Sequence, residues 1–138
     1  MNITIDSAVL KPHRTEDITV YFKDKIPSHL KRVTLKSVII FSETTLLQLF
    51  QNNRYVYICC DILDKDVNLL NSGKSEILRI MTIAPPSAKS LRCLFVQNFS
   101  KKLKYNDIRS IRLYLTNCNQ EMLKVDQPFN IIYELEFT

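Results

Sequence analysis

The chain has 138 residues, which is enough for one domain that buries most of its apolar surface, and we expect a single domain over residues 1–138. Hydrophobic residues make up 46% of it, which excludes wholesale disorder. The net charge of +5 comes from scattered lysines and arginines, a pattern that favours a solvated surface over a nucleic-acid footprint. The only glycine, Gly73, argues against a glycine-rich phosphate-binding loop.

The N-terminal segment and the cysteines indicate a reducing compartment. Residues 1–6 lack the basic and apolar run of a signal peptide, so secretion by that route is not expected. No stretch is long enough to span a membrane, and we expect no membrane partner. The cysteines lack the C-x-x-C spacing of a zinc site, which predicts free and mostly buried thiols at Cys59, Cys60, Cys93 and Cys118.

The first third of the chain predicts three strands, because apolar and polar residues alternate there. These strands cover residues 3–10, 17–23 and 31–42. The third strand contains a continuous apolar run at residues 38–41, which is typical of the centre of a sheet. Residues 43–50 then predict either one short helix with an apolar stripe or a single helical turn packed across the end of a sheet, and Thr44 and Thr45 offer caps.

The middle of the chain returns to the alternation of strands. Residues 54–63 place Val56, Ile58, Cys60 and Ile62 on one face. Residues 67–70 and 76–83 predict a hairpin around a turn at 71–74, which Pro85 and Pro86 end. Residues 91–99 predict a further strand, and residues 101–107 predict a basic connection.

The last thirty residues contain the clearest pattern. Ile111, Leu113 and Leu115 alternate with Arg112, Tyr114 and Thr116, and five apolar residues from Phe129 to Phe137 alternate with residues that are polar except for Ile132. We predict that these two runs form a long antiparallel hairpin. The whole chain then has about eight short strands and one short helix, which predicts an all-β antiparallel sandwich or barrel.

Two groups of residues match fragments of catalytic motifs, but a structural role explains each better. Residues 73–75 match the end of a phosphate-binding loop, although Asn68 stands where that motif needs its first glycine. His13 and His29 lie in separate predicted loops and have no neighbouring group that would orient them.

Carboxylates and thiols likewise predict no site. Asp61, Asp64 and Asp66 surround a lysine and lack the glycine of a calcium loop. Cys60 and Cys93 fall on strands that we expect to be partners, which predicts a buried thiol pair. We therefore predict that the chain is not an enzyme and has no catalytic residue, cofactor or metal ion.

One group of basic residues supports an alternative function. Three lysines lie next to an aromatic residue in the connection at 101–107, and such a combination can contact a nucleic-acid backbone and stack on a base. The alternative is a basic β-barrel that binds single-stranded nucleic acid through Lys101, Lys102, Lys104, Tyr105 and Arg92. Lys11, Arg14, Lys31 and Arg32 would join this surface if the fold brought them close.

The order of features from Tyr55 to the end resembles one protein family. The features are the runs at residues 57–62 and 72–80, the Pro85–Pro86 pair, the strand at 91–99, and the runs at 107–116 and 131–137. They resemble the small jelly-roll proteins of Maverick/Polinton elements and adintoviruses, which are regarded as minor capsid proteins of the penton type.

The resemblance implies a jelly-roll fold and a structural role in a virion. It implies a subunit that assembles with itself, as a pentamer by analogy or alternatively as a trimer, or that docks to a major capsid protein. The expected location is the virion, or the cytoplasm or nucleus of the host cell.

Overall fold

The computed structural model describes residues 1–64, 66–67, 74–96, 99–104 and 106–138. Two helices of four residues each follow the first and third strands: α1 (Ser7–Leu10) and α2 (Leu46–Leu49). The strands are β1 (Asn2–Asp6), β2 (Asp17–Tyr21), β3 (Arg32–Ser42), β4 (Tyr55–Cys60), β5 (Asp66–Val67), β6 (Lys74–Ser75), β7 (Ile77–Thr82), β8 (Ser90–Leu94), β9 (Lys101–Lys102), β10 (Ser110–Thr116) and β11 (Phe129–Phe137).

Nine of these strands form two antiparallel sheets. The first sheet has the order β1-β11-β3-β8, with β9 also paired to β3, and the second has the order β2-β10-β4-β7. If the eight main strands are numbered along the chain without β5, β6 and β9, the sheets read 1-8-3-6 and 2-7-4-5. This is the strand order of a jelly roll, and it confirms the predicted antiparallel sandwich.

The core lies between the two sheets and is built from the alternating residues. In β11 every second side chain from Phe129 to Phe137 is buried, and so are Ile111, Leu113 and Leu115 of β10. Burial of one such side chain stabilises a fold by up to about 1.5–3 kcal/mol. β3 pairs with both β11 and β8, which confirms that its apolar run lies at the centre of a sheet.

The predicted hairpin over residues 108–138 is wrong. β10 pairs with β2 and β4 in the second sheet, whereas β11 pairs with β1 and β3 in the first sheet. The connection between them therefore crosses from one sheet to the other. The alternation correctly identified the buried face of each strand, but it contains no information about which neighbour each strand pairs with.

Two predicted strands are shorter than expected. Residues 8–10 belong to helix α1, because the carboxylate of Asp6 accepts a hydrogen bond of 2.9 Å from the Ala8 amide and caps the turn. The strand predicted at 91–99 ends at Leu94. Of the two predictions for residues 43–50, the single helical turn is confirmed as α2, and Thr45 at its N-cap makes no side-chain capping hydrogen bond.

Two predicted connections differ from the structure. The basic connection contains the two-residue strand β9. The predicted hairpin at 67–83 is only the short β5–β6 pair, because β7 pairs with β4 instead. Residues 71–73 of its turn lie outside the described part of the chain.

The connections gather at two opposite ends of the sandwich. The helical end contains residues 7–16, 43–54, 83–89 and 117–128, which are joined by bonds such as the one from the Leu46 amide to the Ala88 carbonyl at 2.7 Å. The lysine-rich end contains residues 22–31 and the described parts of 61–76 and 95–109. There the Asp64 amide donates to the Lys102 carbonyl at 2.9 Å.

Candidate interaction surfaces

Five of the basic residues that the sequence analysis considered for a nucleic-acid surface lie together at the lysine-rich end. Strand β9 pairs with the start of β3, so that Lys102 stands opposite Arg32 and Lys101 opposite Val33. The next amide, that of Leu103, donates to the Lys31 carbonyl at 2.8 Å, and the Lys104 amide donates to the Ile62 carbonyl at 2.8 Å. We call Lys31, Arg32, Lys101, Lys102 and Lys104 the basic cluster.

The other residues predicted for a nucleic-acid surface do not join the basic cluster. Arg92 stands opposite Ile39 in the middle of β3, about 20 Å from Arg32 at roughly 3.3 Å per residue. Lys11 and Arg14 lie at the helical end, and Tyr105 lies outside the described residues. The predicted barrel is wrong as an architecture, because the main strands form two separate sheets.

Neutral groups hold two side chains of the basic cluster. The Arg32 guanidinium donates to the hydroxyl of Ser100 at 2.7 Å and to its carbonyl at 2.9 Å. The Lys31 ammonium donates to the side-chain carbonyl of Asn106 at 2.8 Å. Within the described part of the chain, neither of them forms an ion pair with a carboxylate, and the same holds for Lys101 and Lys102.

A second surface lies on the outer side of the second sheet. Tyr57 of β4 stands between Thr116 of β10 and Ile80 of β7, and Met122 bridges to the far side of Thr116. Residues that are paired across strands share a face of the sheet, so these four form one row on the outer side. We call Tyr55, Tyr57, Ile80, Tyr114 and Met122 the aromatic face.

The aromatic face is exposed although it is largely apolar. Tyr55 is 55% exposed, Ile80 48% and Met122 41%, while Tyr57 and Tyr114 are half-buried. Exposed patches of tyrosine and aliphatic side chains are typical of sites where proteins bind each other. The alternation of residues 54–63 indicated that Tyr55 and Tyr57 point outward, but the neighbours from β7 and β10 follow only from the strand pairing.

A bidentate ion pair stands next to the aromatic face. The Arg112 guanidinium donates to the two carboxylate oxygens of Asp17 at 2.8 and 2.9 Å and lies 4.6 Å from the ring centre of Tyr114. The hydrogen bond from Arg112 to Asp17 is the main cause that raises the pKa of the guanidinium. The pair joins β2 to β10 and holds the ring of Tyr114 from one side.

The outer side of the first sheet carries a smaller apolar stripe. Ile132 of β11 stands opposite Ile39 of β3, and both are half-buried. Phe41 is 50% exposed and Leu94 is 64% exposed on the same outer side. We call these four residues the first-sheet stripe, and it faces away from the aromatic face because the two sheets lie back to back across the core.

A groove of about 610 Å³ separates two connections at the helical end. Glu16 lies at its base, where its carboxylate accepts a hydrogen bond of 3.0 Å from the Val125 amide. Its backbone carbonyl also accepts one of 3.0 Å from the Leu115 amide. Burial raises the pKa of Glu16, while the hydrogen bond from Val125 and the charge of Arg14 oppose this increase.

The residues considered for catalysis do not come together. His13 is exposed at the helical end and His29 is exposed at the lysine-rich end. Asp61 uses a carboxylate oxygen to accept the Arg112 amide at 2.9 Å, which is a structural role. No group of three metal-binding side chains occurs among the residues that the structure describes.

The expected partnership of the strands that carry Cys60 and Cys93 is wrong. Cys60 lies on β4 of the second sheet and Cys93 on β8 of the first, so the two strands are not partners. Burial raises the pKa of Cys59 to about 11 and raises that of Cys60 further, so both thiols remain protonated near neutral pH.

Lys74 and Ser75 lie in strand β6, whereas the residues after a phosphate-binding loop begin a helix.

Comparison with known proteins identifies the fold. No family model and no curated protein matches the chain. The crystal structure of the mavirus penton protein matches it with a TM-score of 0.60 and 9% sequence identity, over 100% of this chain and 98% of that one. The chain has the fold of a penton protein. The fold implied by the family resemblance is therefore confirmed.

Two further virus structures match less well. The structure of tomato aspermy virus gives a TM-score of 0.32 at 15% identity, over 99% of this chain and 76% of that one. The pentamer of Israel acute paralysis virus gives a TM-score of 0.26 at 13% identity, over 95% of this chain and 73% of that one.

In the part of the chain that the structure describes, no helix has the length and apolarity to cross a membrane.

Proposed function

We propose that this chain is a non-enzymatic structural subunit of a virus capsid, of the penton type, and that its place is in the virion. The observation that carries the proposal is the likeness to the mavirus penton protein, which extends over nearly the full length of both chains. A fold alone is a weak warrant for a function, so the surfaces of this chain have to supply a mechanism.

The two outer apolar surfaces provide such a mechanism. A closed ring of identical subunits needs two different patches on each subunit, so that one patch of each copy meets the other patch of the next. We propose that the aromatic face of one copy packs against the first-sheet stripe of its neighbour. By analogy the ring is a pentamer, and a trimer is the alternative.

A major capsid protein is the second partner that we propose. Such docking would use the connections at one end of the sandwich, since the outer faces of both sheets are then occupied by neighbouring copies. Each weak contact at an end would be repeated by every subunit of the ring, and this repetition would strengthen the attachment of the whole ring.

The assembly is tested by measuring the mass of the purified protein by light scattering and native mass spectrometry at rising concentration. We expect a ring, and we expect the double variant Tyr57→Ser/Ile80→Ser to shift it to monomers. The matched control is Tyr21→Ser, because Tyr21 is 80% exposed on the same sheet but lies opposite Ser110, about 20 Å away along β10.

A strict monomer at the highest concentration would refute self-assembly. A ring that survives the double variant but not the control substitution would place the contact elsewhere on the second sheet. An interface that holds such a ring together should bury at least about 1,000 Å².

A further inference from the structure

We propose that the basic cluster at the lysine-rich end binds the phosphate backbone of a nucleic acid. This goes beyond a role in assembly, and it holds whether or not the chain forms rings. The contact would be independent of base sequence, because the positive charges and hydrogen-bond donors would bind phosphate groups and not the edges of the bases.

The fold retains a pair of cations that repel each other at this end of the sandwich. Arg32 and Lys102 stand directly opposite each other across β3 and β9, and like charges in that position destabilise a strand pair. Arg32 is held in place by the hydroxyl and carbonyl of Ser100, both of which leave its charge unbalanced. An anion bound between the two cations would remove this repulsion.

The chain around the basic cluster contains more basic than acidic residues. The three connections at this end, residues 22–32, 61–76 and 95–109, contain ten lysines and arginines but only six aspartates and glutamates. One of these, Asp107, already pairs with Arg109 at 3.5 Å. Asp64 also lies at this end, with its amide bonded to the Lys102 carbonyl, but its carboxylate forms no ion pair with a described cation. The local excess is therefore positive.

The side chains around the basic cluster indicate which kind of anion it binds. Protein interfaces are depleted in lysine and depend on apolar or aromatic anchors. Within the basic cluster the apolar side chains point inward, since Val33 is fully buried and Leu103 is 7% exposed. The surface offers lysines without an apolar anchor between them, which suits a phosphate backbone better than an acidic segment of a protein.

One exposed aromatic side chain lies at the edge of the cluster. Phe99 is 53% exposed and lies just before Ser100, and its ring stacks on the Arg79 guanidinium at 4.6 Å. Its position is that of a stacking platform next to cations, as in proteins that bind single strands. Phe99, and not Tyr105, is thus the described aromatic residue that can extend the contact to a base.

The test is fluorescence anisotropy with a labelled single-stranded DNA oligonucleotide and with a labelled duplex, at salt concentrations from about 50 to 200 mM. We expect binding whose logarithm falls linearly with the logarithm of the salt concentration. The variant Arg32→Gln/Lys102→Gln, which removes the two cations that stand opposite each other on one face of the sheet, should bind at least about tenfold more weakly at the lowest salt. Its slope should be smaller by about 1.5, since each lost phosphate contact removes roughly 0.7–0.9.

The control variant is Lys89→Gln/Lys124→Gln, which removes two exposed lysines from the helical end and therefore has the same net charge. It should bind like the unchanged protein. Circular dichroism of both variants verifies that neither loses the fold. Equal loss of binding in the two variants would overturn the proposal, because net charge alone would then explain it.

Two more results would also overturn the proposal. One is the absence of binding at low salt. The other is tighter binding to poly-glutamate than to the oligonucleotides, which would assign the surface to an acidic protein partner. The mass of the unchanged protein, measured in the same buffers, keeps this outcome separate from the assembly, which involves the aromatic face.

Discussion

Removing the hydroxyl of Tyr133 should make the protein more stable. Tyr133 lies in the middle of β11, opposite Ile5 of β1 and Val38 of β3, and it is fully buried in the core. Its hydroxyl makes no hydrogen bond to any residue that the structure describes. Burial raises the pKa of this group far above its ordinary value, so the hydroxyl is neutral near neutral pH.

The size of the effect follows from the cost of an unbonded polar group. A buried donor or acceptor without a partner costs about 1–3 kcal/mol of stability, because it has lost its hydrogen bonds to water. Tyr133→Phe removes this cost and leaves a gap of one oxygen atom, which forfeits part of the packing around it. We expect the free energy of unfolding to rise by about 1 kcal/mol, which corresponds to a melting temperature higher by about 3 °C for a chain of this length.

The measurement is urea unfolding followed by circular dichroism, at a concentration at which all variants have the same oligomeric state. Tyr57→Phe is the control, because Tyr57 is half-exposed on the outer side of the second sheet, and it should change stability by less than about 0.5 kcal/mol. If Tyr133→Phe instead destabilises the protein by about 1 kcal/mol, the hydroxyl has a bonding partner and the reasoning is wrong.

The buried carboxyl of Glu16 and the two buried thiols give further predictions. The raised pKa of Glu16 means that the folded state binds the proton of this carboxyl more tightly than the unfolded state does. Protonated Glu16 therefore contributes its full stabilisation below about pH 4.5, and this contribution is lost as the pH rises through the pKa of the folded state. Glu16→Gln should abolish that loss while its amide oxygen still accepts the Val125 hydrogen bond, and equal pH profiles of unfolding for the two proteins would contradict this. In thiol labelling of the native protein, exposed Cys118 should react fast, whereas Cys59 and Cys60 should react only on unfolding, because both are buried and protonated. Fast modification of either buried thiol would contradict the packing of β4.

The fold class and most strands could be predicted because the chain alternates so regularly. The side chains at every second position of β10 and β11 were assigned to the core from the sequence, and all of them are buried. The period of a strand is two residues, so the apolar pattern alone determines which side of the strand faces the core. The continuous apolar run at residues 38–41 correctly predicted that β3 lies in the centre of a sheet.

The candidate surfaces could be predicted only in part. The sequence drew attention to Lys101, Lys102 and Lys104, but their meeting with Arg32 depends on the two-residue strand β9, which is too short to produce a pattern. The helix α1 was missed because its four residues are capped by one carboxylate and continue the apolar character of β1. Elements of this size are stabilised by neighbours that are distant in the sequence.

By itself, the sequence determined which side chains turn inward, since that depends on a local period of two residues. Only the tertiary structure decided which strands are neighbours, and it separated β10 and β11 into different sheets although they looked like one hairpin. The physical reason is that the backbone donors and acceptors along a strand edge are the same for every sequence. A strand therefore pairs with the neighbour that the packing of the whole core provides, and the rows of side chains on the outer faces follow from that choice.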